Sequence, residues 1–116
     1  IKMLDTLSKF KFNTHIFLSY GLPYETKDNY TDTINLIKQI KRHKNIGITI
    51  CPIILDIGSL IYENPARYSV SIQKCRFSDW IHNEITDERP YFACSGMSED
   101  EIVGKIHILR ETICQI

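Results

Sequence analysis

Few side chains in this sequence have the type and spacing for chemistry, and most of them lie near the ends of two apolar segments. The first segment, residues 16–20, passes directly into residues 21–26, which read Gly-Leu-Pro-Tyr-Glu-Thr. Glycine permits a positive φ or a close approach of the backbone to a ligand, and proline stiffens a turn. The Glu-Thr pair would lie at the positive end of the next helix. The glycine spacing fits neither a Walker loop nor a dinucleotide fingerprint. The turn is therefore predicted either to face a ligand or to be only a well-made connection.

Two further residues could act as an acid, a base or a nucleophile. His15 lies in the strand predicted over residues 14–20, as a hydrogen-bonded structural residue or as a group that points into a cavity. Cys51 lies towards the carboxyl end of the strand predicted over residues 46–54, as a buried small hydrophobe or as part of a pocket. A thiol-dependent enzyme that uses Cys51 with His15 is one hypothesis, although nothing in the sequence orients this pair. No two carboxylates have a spacing that compels acid-base catalysis, and we predict no catalytic residue.

The other histidines and the single tryptophan are expected to be structural. His43 would interact with a helix dipole, and His82 and His107 would flank apolar helical stretches. Trp80 would pin a short helix onto the core. The spacing of the cysteines excludes a local metal knuckle but leaves open a site assembled by the fold, and we expect reduced thiols and predict no metal ligand. These cysteines are Cys51, Cys75, Cys94 and Cys114.

The composition excludes several classes of function. With 14 basic and 14 acidic residues the chain has no net charge, so no long-range field recruits nucleic acid or an anionic membrane. No apolar run approaches the roughly 20 residues that span a bilayer, and no amino-terminal signal of basic and then apolar residues is present. We expect a cytoplasmic protein with neither a nucleic-acid nor a membrane partner.

The candidate residues depend on a β-α-β unit for their positions. Strands are predicted over residues 14–20 and 46–54, with a helix over 28–43 between them. Two such strands should be parallel with a right-handed crossover, and ligands of α/β sheets bind at the carboxyl ends of the strands. Residues 21–25 and Cys51 would lie at that edge of the sheet.

Three amphipathic helices accompany the strands. The first covers residues 2–10, the second would be capped by Thr26 or Asp28, and the last begins at a capping box formed by Ser98 and Glu101. Their buried faces are predicted to consist of Met3, Leu4, Leu7 and Phe10 in the first helix, Tyr30, Ile34, Ile37 and Ile40 or Lys41 in the second, and Ile102, Ile106, Leu109 and Ile113 in the third.

The stretch from residue 56 to residue 97 has no sustained periodicity. It predicts long loops with short helices around 59–63 and 77–84, and irregular segments of this length are usually either functional or wrongly assigned, of which we favour the first. We divide the chain into residues 1–68, which carry the strand and helix units, and a loop-rich tail over 69–116 in the same domain.

Two segments resemble known sequences in consistent order. Residues 17–26, followed by Thr33 and Ile37, resemble the fifth-strand segment of radical SAM enzymes. Residues 52–68 resemble the sixth strand and its exit in members that carry a cobalamin-binding domain. Those members have a proline-glycine-serine or proline-glycine-threonine step, a tyrosine and an asparagine-proline pair. The matching residues here are Gly58-Ser59, Tyr62 and Asn64-Pro65, and residues 77–80 and the Ser98 capping box fall where that subgroup has an aromatic segment and a last helix.

The resemblance implies a fragment of a partial (β/α) barrel, with about two parallel strands, three main helices and a loop-rich tail. Such barrels have six strands, and their first loop holds an iron-sulfur cluster through a Cys-x3-Cys-x2-Cys motif that this sequence lacks. S-adenosylmethionine is cleaved at the cluster to a deoxyadenosyl radical, and the subgroup also implies cobalamin bound by another domain. The cofactor-binding residues carried over from the family are Ser19, Tyr20 and Gly21 at the barrel mouth, and Cys51 and Pro52 facing the adenine.

The first hypothesis is therefore the carboxyl-terminal portion of a radical SAM enzyme, inactive alone. Its partner would be a missing amino-terminal part of its own chain. The alternative is a self-contained small α/β binding or regulatory module without catalysis. Two parallel strands cannot close a sheet, so the isolated chain would expose strand edges and an uncovered face, and we expect it to dimerise, swap or rearrange.

Overall fold

The computed structural model describes residues 1–72, 92–94 and 96–115 of the chain. Within these ranges the protein is mixed α/β and contains two two-stranded sheets, one parallel and one antiparallel. The elements in chain order are α1 (Lys2–Lys9), β1 (Thr14–Tyr20), α2 (Asn29–Ile40), β2 (Ile46–Pro52), α3 (Leu60–Glu63), a 3-10 helix (Pro65–Tyr68), β3 (Val70–Ile72), β4 (Phe92–Cys94) and α4 (Glu99–Gln115).

The strands β1 and β2 pair in parallel, which confirms the predicted β-α-β unit. The register runs from Thr14 opposite Ile46 to Tyr20 opposite Pro52. Because side chains alternate between the faces of a strand, this register gives the sheet two distinct faces. The packed face consists of Thr14, Ile16, Leu18, Tyr20, Ile46, Ile48, Ile50 and Pro52, and the open face consists of His15, Phe17, Ser19, Gly47, Thr49 and Cys51.

One hydrophobic core joins the packed face to both long helices and to the tail. Its fully buried members include Ile37 of α2 and Ile50 of β2. The helix α4 adds one apolar face, as its periodicity predicted, and β4 adds Phe92. The residues of α4 in this core are Ile102, Ile106 and Leu109, with Ile113 packed at its margin.

The start of α4 agrees with the sequence prediction, and the start of α2 differs from it. At α4 the capping box is confirmed: Ser98 N–H donates to Glu101 Oε2 (2.9 Å), and Glu101 N–H donates to Ser98 Oγ (3.2 Å). At α2 the side chain of Asp28 makes no cap hydrogen bond. Instead Asn29 Oδ1 accepts from the N–H (2.7 Å) and the hydroxyl (2.8 Å) of Thr26, so the side chain reaches backward along the chain.

Two expectations, one about α1 and one about the tail, were wrong in detail. Met3 and Phe10, predicted on the buried face of α1, are 69% and 65% exposed, and only Leu4 of that helix is buried. The tail, predicted as loops and short helices, includes the antiparallel pair β3–β4. The predicted helix over 77–84, with Trp80 and His82, and also Cys75 lie outside the described residues. Within the described part of the chain, no helix has the length and apolar character to cross a membrane.

Candidate functional site

The open face of the sheet is the surface on which the sequence-predicted chemistry collects. Alternation along two seven-residue strands brings six side-chain positions to it in three cross-strand rows. Four of the six residues are exposed, and Thr49 and Cys51 are half-buried. Phe17, in the middle row, is 76% exposed, which is unusual for a large aromatic side chain inside a strand. No described helix covers this surface.

The row at the amino end holds a histidine fixed by its neighbours. His15 Nε2 forms a 2.8 Å hydrogen bond with Thr49 Oγ1 on the other strand. The imidazole lies over Gly47, where a Cβ would be 2.6 Å from Nδ1, and its ring centroid is 4.8 Å from that of Phe17. His15 is thus a hydrogen-bonded residue on an open surface, and Gly47 leaves the room for its ring.

The row at the carboxyl end pairs two small polar side chains. Ser19 lies directly opposite Cys51 in the register. Arg110 of α4 reaches the same point from the edge of the sheet: its Nε donates to the carbonyl oxygen of Ile50 (3.0 Å), and its Nη2 lies 3.8 Å from Cys51 Sγ. A hydroxyl, a thiol and a guanidinium therefore meet at the carboxyl ends of the two strands.

The loop after β1, residues 21–25, is called the exit loop here, and a single carboxylate organises it. Glu25 Oε2 accepts hydrogen bonds from the N–H groups of Gly21 (2.8 Å) and Leu22 (2.9 Å). Tyr24 has a positive φ of 68°, and its hydroxyl donates to the carbonyl oxygen of Arg67. The loop is thus tied both to itself and to the 3-10 helix.

The tail packs directly on the exit loop. The thiol of Cys94 donates to the carbonyl oxygens of Gly21 (3.5 Å) and Leu22 (3.4 Å). Gly21 has φ +85°, and a Cβ there would lie 2.4 Å from Ile102 Cγ2. Glycine is required here by its backbone conformation and by the approach of α4, so the close contact that the sequence suggested is made with the tail.

Burial sets the electrostatics beneath the exit loop. Tyr20 is fully buried, its hydroxyl donates to Met97 Sδ (3.6 Å), and burial raises its pKa to about 12. The hydroxyl of Tyr30 is buried without a hydrogen-bond partner among the described residues, and burial raises its pKa as well. Lys105 Nζ lies 4.5 Å from the centroid of the Tyr30 ring, a cation–π contact. Burial also raises the pKa of the Cys94 thiol.

The five residues predicted to contact a cofactor fall into different environments. Ser19 and Cys51 present their side chains on the open face as direct neighbours. Tyr20 and Pro52 belong to the packed face and are buried. Gly21 has its N–H bonded to Glu25 and its carbonyl oxygen to Cys94. Two of the five side chains are therefore accessible from the open face, and their role in binding stays a prediction.

Sequence reasoning missed two residues at this surface. Thr49 could have been found, because strict alternation puts it on the same face as Cys51. Arg110 could not, since its contact with β2 joins residues 60 positions apart.

The register keeps Cys51 and His15 apart, although one hypothesis from the sequence used them together. The two residues lie four positions apart along the strands, roughly 13 Å at the rise of a β-strand.

Among the described residues, the remaining titratable candidates do not converge on a second centre. His43 Nδ1 lies 3.7 Å from Asp5 Oδ1, which links the end of α2 to α1, and His107 is exposed on α4. Across residues 1–72, 92–94 and 96–115, no three histidine, cysteine or acidic side chains are grouped as a metal site. Cys51, Cys94 and Cys114 are free thiols.

Comparison with known proteins finds no relative. No family model matches the chain, and neither a curated protein nor a solved structure matches it.

Proposed function

We propose that this chain forms the last two strand and helix units of a partial (β/α) barrel in a cytoplasmic radical SAM enzyme. Its open face would be part of the wall around S-adenosylmethionine and substrate. The observation that carries the proposal is the one-sided sheet: α2 and α4 pack on one face of β1 and β2, and the other face is left open, with Ser19 and Cys51 at its carboxyl end. In (β/α) barrels the helices surround the strands, and the active site lies at the carboxyl ends of the strands.

We propose different roles for the five residues in such a site. Ser19 and Cys51 present side chains at the carboxyl ends of the strands, so they are proposed to line the chamber. Tyr20 and Pro52 are buried in the packed face, and we assign them to the support of the wall. Gly21 would shape the mouth of the barrel, because its backbone groups are occupied by Glu25 and Cys94.

The open face fits an adenosyl group in its chemistry. The hydroxyls of Ser19 and Thr49 can donate or accept hydrogen bonds with polar atoms of a nucleoside, and Phe17 offers an aromatic surface. When bound, S-adenosylmethionine would supply the reactive adenosyl group. The cysteines that ligate the cluster, and any cobalamin-binding domain, would belong to a part of the enzyme outside this sequence.

The test uses the longer protein in which these residues would complete the barrel, reconstituted anaerobically with iron and sulfide. We expect cluster absorbance and release of deoxyadenosine from S-adenosylmethionine. The variants Ser19→Leu and Cys51→Leu should each reduce that release roughly tenfold or more, because they fill the chamber and displace the cofactor.

The matched control is Ser71→Leu, the same kind of change at an exposed strand position in β3. It should leave deoxyadenosine release unchanged. Absence of both cluster absorbance and deoxyadenosine release in the unaltered protein would overturn the proposal.

A self-contained binding module is the second candidate, and the covered exit loop favours it. The hydrogen bonds of Glu25 and Cys94 and the contact of Ile102 with Gly21 make this loop a structural connection. A module would keep its apolar surface covered, whereas a barrel wall would not. An isolated chain that is monomeric and binds no dye specific for apolar surface would favour the module.

A further inference from the structure

The two outer edges of the parallel sheet differ in their hydrogen-bonding groups. Thr14 N–H donates across the sheet to the carbonyl oxygen of Asn45 (3.0 Å). In a parallel ladder, alternate residues of each strand point their backbone groups to the same neighbour. The backbone groups of His15, Phe17 and Ser19 therefore point away from β2, and those of Ile48 and Ile50 point away from β1.

The outer edge of β2 is closed in its carboxyl half. The outward carbonyl oxygen of Ile50 accepts a hydrogen bond from Arg110 Nε. Pro52 follows at the next outward position and has no N–H to offer. A side chain from α4 and a proline thus block the groups that an added strand would use.

Within residues 1–72, 92–94 and 96–115, the outer edge of β1 has neither form of protection. Among the described residues, none bonds to the backbone of Phe17 or Ser19 along this edge. Natural edge strands commonly carry lysine or proline, and β1 contains neither. A cavity of about 380 Å³ adjoins this edge and is lined mainly by apolar side chains of α1, β1 and α2, including Met3, Leu18 and Leu36.

The sequence of β1 is self-complementary about Phe17. In an antiparallel pair centred on this residue, Phe17 would face Phe17 of the second copy, and His15 would face Ser19. All three positions point their N–H and C=O groups outward, so each would form a hydrogen-bonded pair. The side chains opposite one another would be two aromatic rings or two neutral polar groups, with no like charges. The zero net charge of the chain adds no overall repulsion.

We infer that the 116-residue chain associates with a second copy of itself through antiparallel pairing of β1 with β1, centred on Phe17. The result is a four-stranded sheet in the order β2, β1, β1, β2, with a twofold axis beside Phe17. Met3, which the sequence pattern put on a buried face and which is 69% exposed, lies beside this interface. The association uses the edge that the proposed barrel would fill with a strand of its own.

Charge substitutions at the twofold axis test the register. Analytical ultracentrifugation of the unaltered chain should show a dimer. Phe17→Lys and Phe17→Glu should each raise the dimer dissociation constant at least roughly tenfold, because like charges then face each other. An equimolar mixture of the two variants should recover the dimer, since Lys then faces Glu. Phe17 is exposed, so circular dichroism should show both variants folded.

The control is Phe12→Lys, which alters another exposed phenylalanine outside β1 and should leave the dimer unchanged. A monomeric unaltered chain, a dimer that survives both single variants, or a mixture that does not recover would each overturn the inference. Either kind of monomer overturns the inference. A monomer that still binds an apolar dye would leave the proposed barrel standing, whereas a monomer that binds none would also count against the barrel.

Discussion

The two faces of the β1–β2 sheet come from the same fourteen residues and have opposite properties. On the packed face Ile50 and Tyr20 are almost completely shielded from solvent by α2, α4 and the tail. On the open face Phe17 is exposed, and His15, Ser19 and Thr49 are polar. The packed face therefore supplies the burial that stabilises the fold. The open face contributes little burial, so its side chains are available to bind a ligand or a partner.

The largest expected difference comes from truncating one side chain on each face. Ile50→Ala should lower the free energy of unfolding by about 2–5 kcal/mol, because it leaves a cavity in a filled core. Phe17→Ala should change it by no more than about 0.5 kcal/mol, because the ring is mostly in water. Urea denaturation at low protein concentration measures both. Equal losses would mean that the open face is covered in solution.

Glycine substitutions sharpen the same contrast. Gly21→Ala should cost about 2–3 kcal/mol, since it combines a strained positive φ with a 2.4 Å contact to the buried Ile102. Gly47→Ala also creates a short contact, 2.6 Å to His15 Nδ1, but this ring lies on the open face and can rotate away. We expect a loss below about 1 kcal/mol, the net value of one hydrogen bond. Urea denaturation again compares the two, and the opposite order would contradict the assignment of the faces.

The exit loop follows the carboxyl end of β1, and the carboxylate of Glu25 holds it together. Glu25→Ala leaves the N–H of the buried Gly21 without its partner and should cost about 1–2 kcal/mol. Glu111→Ala, an exposed position on α4, is the control and should be close to neutral. Thermal denaturation of both variants at neutral pH is sufficient. A neutral Glu25→Ala would show that water satisfies the loop.

The smallest predicted effect is a pH dependence at the start of α4. The backbone N–H of Ser98, together with the ammonium of Lys27 at 2.9 Å, lowers the pKa of Glu101 from 4.5 to about 2. A lowered folded-state pKa adds stability above pH 4.5, and this contribution is lost as the pH falls towards 2. Glu101→Gln should therefore flatten the decrease in urea midpoint across that interval. An unchanged pH profile would contradict the assignment. Salt should weaken the effect, because the pair is exposed.

Local sequence signals predicted the main helices and the parallel strands. The features that depend on contacts between distant residues could not be predicted. The strands β1 and β2, their parallel pairing and the Ser98 capping box follow from periodicity and short spacing, and the structure confirms them, whereas β3 and β4 were not predicted. The exposure of Met3 was not predictable, because periodicity shows that a helix has an apolar face but not whether a partner covers it. Alternation along β1 places Ser19 and Tyr20 on opposite faces of the sheet. Which of the two faces is packed depends on the face against which α4 packs.

The distances along the chain between the tail and β1 have a consequence for the order of folding. Tyr20 meets Met97 across 77 residues, and Lys27 meets Glu101 across 74. Contacts of this separation form late, since closing a long loop costs entropy before the contact forms. During synthesis, β1, α2 and β2 leave the ribosome well before α4 does. The part of the packed face that α4 covers is therefore expected to stay bare for that interval, which leaves Ile50 and Tyr20 open to association with other unfolded chains.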